Sequence, residues 1–297
     1  MPEGPGLTER RGVQLTLLAS LLLGSSYVAI KSGVSEIDPL LFCAMTVSVG
    51  ALVVLAYCAW KRTLTWRIFL TKEAWLAWLI TFVLLGLQYG GLSRTNASTG
   101  ALIIGSNVLI VAPLSAFLFR ERLTRRKVIG LVVGLGGLFV LTTKLDVGGL
   151  TGGALLGDVM LLGATICIAL TYVLSKYAFK KMTYEQFVLS TLLFTPLPLF
   201  ALHLGFGSPT TVAASALPLL LYIGVMCTAI PTLLWVRALE AISITTSSTI
   251  ILSESSFAVI LSILLLHEPL DVFIGVGAAM VFSAIYLVSS NGARDRT

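Results

Sequence analysis

Charge is what this chain has least of. Of its 297 residues only 11% are Asp, Glu, Lys or Arg, while 57% are hydrophobic; an ordinary soluble domain is roughly a quarter charged. No polar stretch is long enough to form a soluble domain between the apolar runs. Histidine is almost missing too. His203 and His267 sit at the ends of apolar runs and are not spaced as metal ligands or as a general-base pair. The four cysteines, Cys43, Cys58, Cys167 and Cys227, all fall inside apolar runs, where they are small packing residues rather than disulfide partners or a metal site. There is no Gly-rich phosphate loop, nucleophile elbow or ATP-binding domain. These absences argue against a membrane-embedded enzyme, and no metal or cofactor is expected.

What the chain has in quantity is long apolar runs. A spanning helix needs about 20 mostly apolar residues, and ten runs qualify, near 12–32, 39–60, 74–92, 97–119, 127–143, 154–176, 184–205, 212–236, 244–266 and 271–290. They lack period-two alternation, which makes them helices and not barrel strands. The first run is too long for a signal peptide, and its Tyr27/Lys31 pattern recurs mid-chain, so it reads as a retained first helix. Placing the N-terminus inside puts seventeen of the twenty Lys and Arg on the cytoplasmic side and leaves only Lys31, Arg94 and Lys144 outside. One helix more or fewer scrambles that split. The net charge of +6 is therefore a topology signal, with some attraction to anionic inner-leaflet lipid, and implies no nucleic-acid partner.

The chain also repeats itself. Residues 99–130 and 246–277 align at an offset of 147, where Thr99 meets Thr246, Ile104 meets Ile251, Glu121 meets Glu268, Leu123 meets Leu270 and Gly130 meets Gly277. At an offset of 145, Tyr27 and Lys31 meet Tyr172 and Lys176. Five crossings per copy is an odd number, so the copies face opposite ways. The expected fold is an all-α integral membrane protein of ten transmembrane helices, built as two inverted five-helix repeats over residues 1–145 and 146–297, with both termini cytoplasmic. Such architectures place the substrate near the bilayer midplane between the repeats and work by alternating access.

The (R/H)-E-(R/P)-L segments at Arg120–Leu123 and His267–Leu270, the Asn96-Ala97-Ser98-Thr99 entry and the Glu121-Arg122-Leu123-Thr124 exit of the fourth run resemble those of the EamA-type members of the drug/metabolite transporter superfamily. The resemblance covers nearly the whole chain. At this size it is most similar to bacterial amino-acid exporters, including the aromatic amino-acid exporter. It implies a multi-pass carrier of the cell (inner) membrane exporting amino acids and related small metabolites, working as a monomer in the bilayer without a cofactor. The other five-plus-five architecture, that of sodium-coupled amino-acid transporters, needs breakers in its first and sixth helices. Gly24-Ser25-Ser26 offers one, but Ala169-Leu170-Thr171 does not.

Candidate residues follow from depth and from the offsets. Glu254 lies mid-run in the ninth segment, flanked by Ser253, Ser255 and Ser256, where a carboxylate costs several kcal/mol unless it is wetted, paired or protonated. Its counterpart at the 147 offset is Asn107. Either Glu254 contacts substrate or a proton, or it is a protonated helix-to-helix bond. Tyr27 and Lys31, like Tyr172 and Lys176, share a helix face. The tyrosines are cavity candidates, whereas the lysines can snorkel, suit a helix C-terminus or gate. Trp78, Gln88, Tyr89 and Trp235 suit an aromatic-lined pocket, although Trp and Tyr also anchor at interfaces, as Trp60, Trp66 and Trp75 do by position; Trp235, close to the inner end of its run, favours an anchor or an inner gate over the midplane site. Pro113 and Pro231 each remove a backbone bond inside a run and are expected to kink or flex it. Gly130, Gly134 and Gly137, and Gly275, Ala279 and Ser283, form small faces for close helix contact, within the monomer in preference to the alternative of a dimer seam. Glu121 and Glu268 read as caps of the helix that follows each. Phosphorylated substrates need Lys or Arg in the cavity, and the run interiors hold almost none. Broad drug or organic-cation efflux remains an alternative to amino-acid export, and a passive channel fits an inverted duplication less well.

Overall fold

The computed structural model describes residues 7–119, 125–143, 153–242, 247, 250–251, 253–268 and 271–289. Glu121, Arg120, Arg122 and Lys144 lie outside the described residues. Every described regular element is helical: α1 Glu9–Val34, α2 Pro39–Trp60, α3 Lys72–Leu92, α4 Ala97–Gly105, α5 Asn107–Phe119, α6 Arg125–Thr143, α7 Gly153–Ala178, α8 Tyr184–Leu192, α9 Pro196–Phe206, α10 Leu217–Leu221, α11 Ile230–Ala238, α12 Ser253–Leu266 and α13 Val272–Ser289, with a π-helical stretch Tyr222–Ala229 between α10 and α11. Six helical segments are long and apolar enough to cross a membrane: Glu9–Val34, Pro39–Trp60, Lys72–Leu92, Ala154–Ala178, Tyr184–Phe206 and Ala214–Ala238. Shorter apolar helices cover Ala97–Val111, Val128–Gly137, Ser253–Leu266 and Val272–Ala284.

The packing is set by small residues. α3 lies on α7 through a reciprocal glycine contact, where a Cβ on Gly91 would stand 2.9 Å from Gly157 O and one on Gly157 would stand 2.9 Å from Gly91 O. Gly91→Val must part the helices and is expected to cost about 1–3 kcal/mol, read as a lower unfolding temperature in detergent. α1 rests on α12 in the same way, a Cβ on Gly24 meeting Glu254 O at 2.8 Å and Phe257 Cβ at 2.8 Å. α6 packs on α13 through Gly137, whose Cβ would lie 3.0 Å from Gly277 O. The expected small face of α6 is thus used, but that of α13 is not. Gly275 has nothing within 4 Å, and Gly275, Ala279 and Ser283 face outward, while Ile274, Gly277, Val281 and Ala284 are buried.

The fourth apolar run is interrupted, but not at its proline. The helix continues through Pro113; the break is at Ser106, between α4 and α5. Side chains take over the loosened carbonyls there. Ser106 Oγ donates to Ile103 O at 2.5 Å, Thr165 Oγ1 donates to the same oxygen at 3.2 Å, and Asn107 Nδ2 donates to Ile104 O at 3.0 Å. Such back-bonding bends helices. Ser253, the residue at the 147 offset from Ser106, donates to Ile250 O in the same way, at 2.8 Å. Pro231 stands in the first turn of α11, immediately after the π stretch, so there the backbone irregularity does adjoin the proline.

Two clasps hold the end of the bundle at which α1 finishes. Asp38 caps α2 by accepting from Leu40 N and Leu41 N, and it also takes His203 Nδ1 at 2.9 Å and Ser208 N at 3.0 Å. Burial raises its carboxyl pKa, but the Ser208 and Leu41 N–H donors and His203 outweigh that and hold it below the ordinary value. A folded value below the unfolded one stabilises the fold at pH above the unfolded value, and that contribution is lost as pH falls through the folded value. Asp38→Asn is therefore expected to flatten the decline in unfolding temperature measured on acidification below about pH 4.

The second clasp corrects the expectation for Glu268. It does not cap the helix that follows it. Its Oε1 accepts from Ala97 N at 2.8 Å and its Oε2 from Ser98 N at 3.1 Å and Ser98 Oγ at 2.6 Å, so it caps α4, 171 residues away in sequence. Lys31 completes the junction by donating Nζ to Leu92 O at 3.0 Å and Thr95 O at 2.7 Å. The lysine folds back onto the carbonyls that end α3 and begin the α3–α4 turn.

Candidate functional site

A cavity of about 180 Å³ lies among α1, α3, the α4–α5 break, α7, α8, the π stretch, α11 and α12. Tyr27, Gln88, Tyr89, Asn107, Tyr172, Trp235 and Glu254 all line it. Trp78 does not; it stacks on Phe82 and meets Trp75 edge-on at 5.5 Å, in an aromatic group at the start of α3. Glu254 is the only Asp or Glu among the described lining residues, and no Lys, Arg or His is present. Its Oε1 accepts the Tyr27 hydroxyl at 2.8 Å, a bond between α1 and α12 beside the Gly24 contact. The Tyr89 hydroxyl is held by Thr46 Oγ1 at 2.9 Å. Tyr172 meets the Trp235 ring edge-on at 4.9 Å, and Trp235 Nε1 donates to Ser247 Oγ at 3.1 Å. Gln88 reaches the wall from α3, half-buried.

The lining pairs off at the offsets found in the sequence. At 145 stand Leu23 and Ile168, Ser26 and Thr171, and Tyr27 and Tyr172; at 147 stand Thr81 and Thr228, Leu85 and Thr232, Gln88 and Trp235, Tyr89 and Val236, Ile104 and Ile251, and Asn107 and Glu254. The hydroxyl residues among them escaped the sequence reading, although Ser26 and Thr171 directly precede the two tyrosines. Phe187 and Thr191 were missed as well. They repeat Phe42 and Thr46 at the 145 offset.

That last pair breaks the symmetry. All four are buried, but Phe187 and Thr191 line the cavity, whereas Phe42 and Thr46 do not and pack beside Tyr89, with Phe42 in ring contact with it at 6.0 Å. The cavity is therefore lined by α8 and not by α2. The gating candidates surround it without lining it. Lys31 sits in the clasp above, Lys176 in the last turn of α7, Pro113 within α5, and Pro231 at the start of α11.

The EamA-like transporter family model matches twice, over residues 10–143 and 155–290. The chain belongs to the EamA-like transporter family. It is a multi-pass membrane transporter of the drug/metabolite transporter superfamily and not an enzyme. An uncharacterized transporter of Archaeoglobus fulgidus is 24% identical over 289 residues, covering 93% of this chain and 96% of its own. The uncharacterized transporter YoaV of Bacillus subtilis is 24% identical over 275 residues, covering 90% and 93%. One crystal structure superposes with a TM-score of 0.70 at 17% identity, over 96% of this chain and 99% of that one, which shows the common fold.

Proposed function

We propose that this EamA-family chain is a secondary transporter of the inner (cell) membrane that exports amino acids, aromatic and other apolar ones foremost, and related small metabolites by alternating access. The observation that carries this reading is the cavity's chemistry, in which one carboxylate stands with aromatic, aliphatic and hydroxyl side chains and with no cation among the described lining residues. That set disfavours phosphate-bearing cargo and suits a molecule with an ammonium group and an apolar body. Substrate contact is assigned to Tyr27, Gln88, Tyr89, Asn107, Tyr172, Trp235 and Glu254; Trp78, lying outside the cavity, is assigned to anchoring.

Ten spans in two inverted five-helix repeats, residues 1–145 and 146–297, account for the paired lining, because inverted halves carry equivalent residues to opposite depths. With the termini cytoplasmic, α2 begins on the outer side and α8 on the inner side. The cavity then reaches inward along Phe187 and Thr191, while Phe42, Thr46 and Tyr89 close it outward beneath the Lys31–Glu268 clasp. Lys31 is read as part of the outer gate and Lys176 as its inner counterpart, with the Ser106 break and the π stretch before Pro231 as flexing points.

The test is uptake of labelled phenylalanine, tryptophan and leucine into proteoliposomes, with and without a pH gradient. Saturable uptake of at least one is expected. Movement of organic cations alone would favour drug efflux, and no amino-acid movement under either condition would end the amino-acid reading.

A further inference from the structure

Two tyrosines hold equivalent places in the cavity wall, and they are not equally satisfied. Tyr27 and Tyr172 are 1% and 0% exposed. Tyr27 is bonded to Glu254. The residue equivalent to Glu254 is Asn107, itself 2% exposed. Its Nδ2 is engaged by Ile104 O, but its Oδ1 is buried with no hydrogen-bond partner, and so is the Tyr172 hydroxyl. The indole N–H beside Tyr172 donates to Ser247 Oγ, and both groups stand next to the Tyr172 hydroxyl without the geometry of a hydrogen bond to it. Leaving a buried polar atom unsatisfied costs on the order of 1–3 kcal/mol. Phe at 172 and Leu at 107 would fill similar space without that cost. Both residues line the cavity, so the missing partners belong on the cavity side.

We propose that Asn107 and Tyr172 form the head-group subsite for the transported molecule, which supplies an N–H donor to Asn107 Oδ1 and an oxygen acceptor to the Tyr172 hydroxyl. An α-amino acid carries both groups on one carbon. Glu254 sets the orientation, attracting the ammonium and repelling the carboxylate. The ammonium therefore lies between Asn107 and Glu254, and the carboxylate accepts from Tyr172. The apolar side chain runs along Trp235 and Phe187, which line the cavity. This deepens the amino-acid reading and rests on it.

The test is binding of labelled phenylalanine to the purified full-length protein, with phenethylamine (no carboxylate) and 3-phenylpropionate (no ammonium) as competitors. Tyr172→Phe is expected to weaken phenylalanine about tenfold or more, the effect of one hydrogen bond to a charged group, and to leave phenethylamine unchanged. That unchanged amine affinity also shows the variant to be folded. Asn107→Leu is expected to weaken phenylalanine and phenethylamine alike and to spare 3-phenylpropionate. Equal loss for all three ligands, or no loss with either variant, would overturn the subsite while leaving the amino-acid reading in place. Failure of the wild-type protein to bind any amino acid would take down both.

Discussion

Glu254→Gln is expected to reduce amino-acid transport roughly ten- to a hundredfold, the effect of removing one charge-assisted contact of about 1.5–3 kcal/mol, without lowering the unfolding temperature. The substitution is nearly isosteric, and the glutamine carbonyl can still accept from the Tyr27 hydroxyl that now bonds Oε1 at 2.8 Å. What it removes is charge alone. A buried carboxylate is costly inside a bilayer, so a merely structural Glu254 would gain or keep stability on neutralisation and leave transport intact. Uptake and thermal unfolding measured on the same preparation separate the two roles. Lost uptake with unchanged or raised stability assigns the carboxylate to the substrate. Retained uptake returns it to packing.

Glu268→Ala is expected to open the outer side. The substitution leaves Ala97 N and Ser98 N, both on buried residues, without their acceptor. It also removes the anion facing Lys31, which holds the α3–α4 turn. Losing charge-assisted bonds of about 1.5–3 kcal/mol shifts a closed-to-open equilibrium by roughly ten- to a hundredfold. Cys43 reports on this. It is fully buried next to Phe42, in the part of α2 proposed to close the cavity outward. In a variant whose other cysteines are replaced, a membrane-impermeant thiol reagent added outside is expected to react with Cys43 faster by that factor once Glu268 is Ala. A lower unfolding temperature with Cys43 still unreactive would make Glu268 a cap and nothing more.

How much of this was legible in the sequence depends on the range of the interaction. The duplication needed only the chain compared with itself, and the same offsets pair Tyr27 with Tyr172 and Asn107 with Glu254 in the cavity wall. Glu268 was legible as a cap, because an acid at a helix boundary suits the dipole. Its true partner was not, since no local rule reaches from residue 268 to Ala97. Pro113 drew attention as a missing donor, yet the break went to Ser106, where side-chain hydroxyls compete for the backbone carbonyls. That the small face of α13 does not pack within the monomer was illegible for a different reason. In lipid the outward face of a helix is as apolar as the inward one, so Gly275, Ala279 and Ser283 carried no mark to distinguish them from the buried Gly277 and Ala284. Trp78 was a comparable case, since an aromatic residue suits an anchor and a pocket equally.

As proposed, one cavity formed between two inverted halves carries the substrate from side to side. Counterflow tests it most directly. Proteoliposomes loaded with unlabelled phenylalanine and diluted into labelled phenylalanine should take up label faster than empty ones, because a loaded site returns to the outside carrying its cargo. Label uptake that is indifferent to the internal amino acid would describe a pore and contradict the claim.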